Sequence, residues 1–197
     1  MASTVNLNPG YVAGIWDIDP VHSDVSFTVR YLMACKVRGR FARFSGTIRT
    51  GENVIDSEVA VTIDATSIDT CHPQRDDHVR SADFFDVAHH PTWSFRSTGV
   101  HLDDGDYVLD GDLTIKGTTR PVSLALEVNG FGPDGLGRVR AGFSAVTTID
   151  RNDYGVDHKM PMDGGGLVVG DKVQVNLEIE AALRTPTETV GDPGGGA

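Results

Sequence analysis

Apolar and polar positions alternate with a period of two along most of the chain, the mark of strands that bury one face. Val25, Phe27 and Val29 alternate with Ser26, Thr28 and Arg30, and Val59, Val61 and Ile63 with Ala60, Thr62 and Asp64. Longer alternating runs cover Asp106–Lys116, Arg120–Asn129, Arg138–Asp150 and Asp171–Leu183. Shorter pieces at Trp16–Asp19, Arg38–Ile48 and Trp93–Val100 read as further strands. Turn chemistry separates them: Asp104-Gly105 and Lys116-Gly117 predict tight hairpins, and Asn129-Gly130 to Gly137 a longer turn. Helix character is confined to Pro73–Ala82, where a proline opens a short run of charges.

Short connections imply antiparallel neighbours in up-and-down order. About eight one-faced strands must bury that face, either as two packed sheets or as one sheet closed on itself. Strands of this length, rising roughly 3.3 Å per residue and tilted by roughly 40°, would build a tube on the order of 25–30 Å tall. Small residues in the inward register, Gly111, Ala141 and Ala145, favour a hollow interior, whereas the aromatic side chains are large enough to fill it. The expected fold is therefore all-β: a single antiparallel up-and-down barrel of about eight long strands, with one short helix near residues 73–82. Residues 1–13 read as a flexible arm, 14–183 as the barrel and the Gly/Pro-rich stretch 184–197 as a disordered tail.

Charge narrows the function. The 197 residues carry 28 Asp and Glu against 17 Lys and Arg, a net charge of −11. An acidic surface repels phosphate backbones, so no nucleic-acid partner is expected. No apolar run is long enough to span a bilayer, and the first residues lack the basic start and apolar stretch of a secretory signal. The expectation is a cytoplasmic protein with no integral membrane segment, in which Cys35 and Cys71 are reduced thiols; in an exported protein the two could instead form one bridge. The oligomeric state is open: a barrel without free edges can pair through its outer faces as a homodimer or stand alone.

The stretch Trp16-Asp17-Ile18-Asp19-Pro20-Val21-His22-Ser23, followed by Val25-Ser26-Phe27, strongly resembles the opening of the YceI-like proteins. The likeness continues through Lys36-Val37-Arg38-Gly39-Arg40-Phe41, Arg75-Asp76-Asp77-His78-Val79-Arg80-Ser81 and Asp83-Phe84-Phe85-Asp86. It extends to Gly111-Asp112-Leu113-Thr114-Ile115-Lys116-Gly117 and Arg151-Asn152-Asp153-Tyr154-Gly155. What the resemblance implies is a lipocalin-like barrel that holds a long-chain isoprenoid lipid, such as a prenyl pyrophosphate or an isoprenoid quinone, without chemistry of its own. The chain departs from the pattern at Tyr31, where many relatives have histidine, and in the loop 156–166.

On that reading the lumen would be lined by Val25, Phe27, Val29, Phe44, Val61, Ile63, Trp93, Phe95, Leu109, Leu113, Leu124, Leu126 and Phe143, with Phe84 and Phe85 at one end. The alternative for each is plain core packing. His22, Arg30, Lys36, Arg38, Arg75 and Arg151 are the head-group candidates, because a pyrophosphate takes Arg and Lys donors. The alternatives are a solvated strand face for Arg30, Lys36 and Arg38, a structural hydrogen bond for His22, and an ion pair between Arg75 and Asp76. No catalytic residue is expected: there is no GxSxG elbow, and Asp150, Asp153, Asp157 and His158 read as a charged loop. No metal and no cofactor beyond the lipid is expected, since neither Cys71, His72 and His78 nor His89-His90 matches a closed zinc spacing. The competing functions are a barrel enzyme of isomerase or cyclase type and a stress-linked structural module with a filled tube.

Overall fold

The computed structural model describes residues 9–32, 35–159 and 168–185. The expected arm at 1–8, the tail at 186–197 and the loop at 160–166 lie outside the described residues. Among the described residues there are eleven strand segments and one α-helix. Three pairs of segments are halves of interrupted strands, so the architecture is a closed antiparallel barrel of 8 strands.

The first strand consists of β1 (Gly14–Ile18) and β2 (Asp24–Tyr31), which lie in succession along one edge of β11 (Val169–Leu183). Ile18 pairs with Ala181 and Val25 with Leu177. Between them Pro20 has no N–H for a ladder, and the chain bulges outward. Ser23 repairs the gap: its hydroxyl donates to the Glu180 carbonyl (3.1 Å) and accepts from the Glu180 N–H (3.0 Å). The second strand is β3 (Cys35–Phe41) and β4 (Phe44–Thr50), and the third is β5 (Glu58–Asp64) and β6 (Ile68–Asp69). The expected single strand Arg38–Ile48 is thus broken at Ala42–Arg43, where Ser67 takes over: its carbonyl accepts from Ala42 N and its hydroxyl from Arg43 N.

Five uninterrupted strands complete the barrel: β7 (Thr92–Asp103), β8 (Asp106–Ile115), β9 (Thr118–Pro133), β10 (Val139–Asp150) and β11. Asp104 and Gly105 both take positive φ (49° and 98°), as do Lys116 and Gly117 (48° and 74°), the signature of tight hairpin turns that suit the strand twist. Asn129-Gly130 is not a turn. β9 runs through it by a bulge at Gly130 (φ 146°), and the chain reverses later, at Asp134–Arg138. Continuing the strand carries Phe131 onto Trp16, at 5.6 Å between ring centroids, and onto Phe143 at 5.9 Å.

Those aromatic rings seal one end of the tube. Trp16 is fully buried and donates its indole N–H to Thr50 Oγ1 (2.8 Å). Residues 9–13 of the expected arm are docked here rather than free: Tyr11 donates to the Gly51 carbonyl (2.8 Å) and its ring meets Phe131 at 5.2 Å. At the opposite end α1 (Pro73–Arg80) lies across the barrel, ending two residues before the expected Ala82, where Ser81 caps the His78 carbonyl.

The break in the first strand is braced by charge. Arg140, with its side chain 14% exposed, donates to Asp19 Oδ2 (2.8 Å) and Asp134 Oδ2 (3.3 Å), and lies 3.2 Å from Glu180 Oε1. The hydrogen bond from His22, together with Arg140, holds the Asp19 carboxyl well below the ordinary range. Backbone and side-chain hydrogen bonds from Arg138 do the same for Asp134. A carboxyl whose folded pKa is depressed stabilises the protein fully above its unfolded value, about 3.9, and loses that contribution as pH falls toward the folded value. Asp19→Asn is therefore expected to lower stability at pH 7 by about 1–3 kcal/mol. Its deficit against the parent should close as the pH is taken from 5 toward 2 in chemical denaturation. A deficit independent of pH would show that the carboxylate charge is not its source.

Candidate functional site

A cavity of about 610 Å³ runs along the barrel axis. That lies within the ~300–1,000 Å³ typical of small-molecule sites. Its walls are the inward faces of the strands. On β11 these are Val169, Val173, Val175, Leu177 and Ile179, which at roughly 3.3 Å per residue and a tilt of roughly 40° span about 25 Å of axis. Many inward apolar side chains, including Phe27, Val29, Val61, Phe95, Leu113, Leu126 and Phe143, are only half-buried, because they face the hollow rather than one another.

Every sequence-predicted lumen position lies on this wall: Val25, Phe27, Val29, Phe44, Val61, Ile63, Trp93, Phe95, Leu109, Leu113, Leu124, Leu126 and Phe143 along the strands, and Phe84 and Phe85 below α1. Two glycines explain why the rings do not fill the tube. Gly39 is the cross-strand partner of Phe27, whose ring lies 2.4 Å from where a Cβ would stand. Phe95 covers Gly111 in the same way, also at 2.4 Å. Gly111 therefore does not widen the lumen by being small itself; it lets an aromatic ring lie flat on the wall.

Exposure identifies the mouth. The exposed lining residues are Tyr31, His72, Gln74 and His78, all at the end crossed by α1, and none of the lining residues at the Trp16 end is exposed. Pro73 occupies the first turn of α1, where no N–H is needed, and His72 caps the helix by accepting from Arg75 N (3.3 Å). Arg75 and Asp76 do not form the expected ion pair. Both converge on Thr70: Asp76 Oδ1 accepts from its N–H (3.0 Å) and its hydroxyl (2.5 Å), while Arg75 donates to Thr70 Oγ1 and Thr70 O, each at 2.7 Å. Asp76 is buried and turned away, which leaves Arg75 lining the mouth with no carboxylate partner among the described residues.

The other head-group candidates lie elsewhere. Arg30, Lys36 and Arg38 stand on the outer face of the β2–β3 hairpin, because the alternation that turns Val29 and Val37 inward turns their neighbours outward. His22 sits on the outer bulge between β1 and β2, 3.0 Å from Asp19. Arg151 does line the cavity, but it is buried and its N–H groups are committed. They donate to the carbonyls of Gly170 (3.1 Å), Val156 (2.6 Å), His158 (3.2 Å) and Val169 (3.4 Å) and to Asp171 Oδ1 (3.1 Å). Arg151 is a positioning residue for the segment after the 3₁₀ turn at Arg151–Tyr154.

Among the described residues no Asp or Glu lines the cavity. Burial pushes the Tyr154 phenol up to about 12, so it stays neutral through the physiological range. The lumen therefore presents no carboxylate pair for acid–base work. Two groups of metal-ligating type occur among the described residues: His78, Asp83 and His158 at the mouth, and Asp19, His22 and Glu180 on the bulge. Among the described residues no helix is long and apolar enough to cross a membrane. Sequence reading missed the mouth residues Thr70, His72, Gln74 and His78, which only the placement of α1 brings together. It also left out Val173, Val175, Leu177 and Ile179, though their shared parity on one strand already marked them as inward.

A family model described as a YceI-like domain matches residues 16–181. The chain is 39% identical over 166 residues to a UPF0312 protein of Vibrio parahaemolyticus, covering 83% of this chain and 82% of that one. It is 40% identical over 141 residues to Protein YceI of Escherichia coli, covering 71% and 74%. Among solved structures, BcnA of Burkholderia cenocepacia superposes with a TM-score of 0.69 at 24% identity, covering 83% of this chain and 98% of that one. A domain from Saccharophagus degradans, described as polyisoprenoid binding, superposes with a TM-score of 0.66 at 17% identity, covering 88% and 100%. None of these relatives carries the name of an enzyme.

Replacing Arg151 by methionine keeps the bulk but strands the carbonyls it satisfies. The expected loss is about 2–4 kcal/mol, read as a lower denaturant midpoint. A midpoint equal to the parent's would mean that water replaces the guanidinium at no cost.

Proposed function

The chain belongs to the YceI-like family, and from that premise we propose that its lumen binds a long-chain isoprenoid lipid, a prenyl pyrophosphate or an isoprenoid quinone, for carriage or storage without chemical change. The observation that carries this reading is the cavity itself: a tube with apolar walls whose side chains are left half-buried. A guest that covers those walls removes apolar surface on both sides. At ~0.8 kcal/mol per methylene-sized group, one isoprene unit contributes on the order of 3–4 kcal/mol before the cost of ordering it. A slender, flexible chain fits a tube of this width without needing any polar contact at depth. Among the described residues no carboxylate lines the cavity, which favours a binder over a barrel isomerase, and the open lumen favours it over a filled structural module. The polyisoprenoid-binding description of the Saccharophagus domain, at 17% identity, points the same way.

Polarity at one end gives the guest a direction, tail toward Trp16 and head toward α1. Arg75 is the mouth cation best placed for an anionic head, since Thr70 takes only its Nε and Nη2 donors.

Organic extraction of the purified protein followed by mass spectrometry is expected to yield an isoprenoid lipid, and no lipid above a delipidated control counts against the proposal. Leu124→Trp or Leu126→Trp is expected to obstruct the lumen and weaken binding of a fluorescent prenyl probe by tenfold or more while circular dichroism stays unchanged. Folded variants that bind as the parent does would remove these positions from the binding surface. Arg75→Gln is expected to narrow the preference for a prenyl pyrophosphate over the matching alcohol by about tenfold at most, an effect that shrinks with added salt. Equal affinity of the parent for both forms at low salt would point to a neutral head such as a quinone.

A further inference from the structure

At the mouth three side chains converge, of which His78 also lines the cavity while Asp83 and His158 do not. His78 comes from α1, Asp83 from the turn after it, and His158 from the segment that follows the Arg151–Tyr154 turn. One donor atom of each lies within 4.8 Å of the others, with His78 Nε2 and Asp83 Oδ2 at 3.0 Å. We propose that His78, Asp83 and His158 form a binding site for a divalent transition-metal ion, of which zinc(II) suits the donor set best.

Two imidazoles and one carboxylate are the donors of an open, three-ligand zinc site that leaves a position for water or another oxygen ligand. Bonds of about 2.0–2.1 Å in tetrahedral geometry set donors about 3.3 Å apart; His78 and Asp83 already stand at 3.0 Å, and His158, within 4.8 Å of both, has at most about 1.5 Å to close. Among the described residues Asp83 has no lysine or arginine partner; its carboxylate meets only His78. The second cluster provides the contrast. At Asp19, His22 and Glu180 the Arg140 guanidinium already stands between the carboxylates, 2.8 Å from Asp19 and 3.2 Å from Glu180, so the place of a cation is taken.

The mouth site is also held in position from behind. Arg151 donates to the His158 carbonyl (3.2 Å) and so anchors the backbone that carries the ring. Phe84, buried beneath the group, meets the His78 ring at 5.1 Å and the His158 ring at 5.3 Å, which limits how either imidazole turns. An ion here joins α1 to the segment after the Arg151–Tyr154 turn, the two elements that border the mouth. The site stands on these donors alone and does not depend on what the lumen holds.

The test is isothermal titration of the full chain, freed of metal by chelator and dialysis, with zinc(II) chloride, alongside cobalt(II) absorption. The expected result is one ion per chain, with cobalt(II) giving the visible bands of a four-coordinate site. Asp83→Asn and His158→Ala should each weaken binding by about tenfold or more, whereas His22→Ala and His89→Ala should leave it unchanged. All four residues lie at or near the surface, so folding of each variant is verified by its melting temperature without metal. No binding by the parent, or binding that survives both Asp83→Asn and His158→Ala, would overturn the proposal, as would loss of binding in His22→Ala or His89→Ala instead.

Discussion

Closure of the sheet along β11 is the constraint on which everything else rests. This strand pairs with β10 on one side and with both β1 and β2 on the other. A sheet of one-faced strands left open would expose a row of unpaired backbone groups and half its apolar side chains. Bending it until its first and last strands meet solves both problems at once, but only if the first strand can follow the curve. The bulge at 19–23 gives it that freedom, and Ser23 and Arg140 restore what the bulge costs: Ser23 the backbone hydrogen bonds, Arg140 the balance of charge. The interruptions of the second and third strands, at 42–43 and 65–67, meet along the same side of the barrel and do the same for the curvature there.

Once closed, the barrel faces a packing problem, since eight strands enclose roughly enough room for their own side chains. This barrel stays hollow because its large rings are laid along the wall. Phe27 rests on Gly39 and Phe95 on Gly111. The residues that do pack tightly are gathered at the ends, Trp16 and Phe131 at one and Phe41, Phe85 and Trp93 at the other, with Trp93 4.9 Å from Phe41 and 4.5 Å from Phe85. Stability is thus concentrated in two aromatic clusters, one sealing the Trp16 end and one on the wall near the mouth, and in the ladder, which frees the middle of the tube from having to be filled.

Period-two alternation made the strands and their inward faces legible, because side-chain parity is a local property that survives into the folded barrel. That is why Leu124, Leu126 and their kind could be named as wall positions from sequence. What parity cannot carry is depth and sidedness at the ends. Arg30, Lys36 and Arg38 formed a cluster in sequence, yet the same alternation sends them outward. Arg75 and Arg151 looked alike as cations, but one faces the mouth and the other is consumed by backbone carbonyls. Asn129-Gly130 carried the chemistry of a turn and became a bulge, since the burial of Phe131 outweighs the local preference. The His78, Asp83 and His158 group arises only when α1 is laid over the barrel, which no spacing rule anticipates.

The seal at Trp16 makes the tube a blind sheath rather than a pipe. A linear guest enters and leaves by the same opening, so its leading end is the last part to be released. Depth also becomes a ruler: once a chain reaches the floor at Tyr11 and Phe131, which Trp16 backs, each further unit would protrude past α1 and gain nothing from the wall. For a linear guest, gain in affinity with chain length would therefore stop at a fixed number of units, and the guest would be presented end-on, by the segment nearest the solvent.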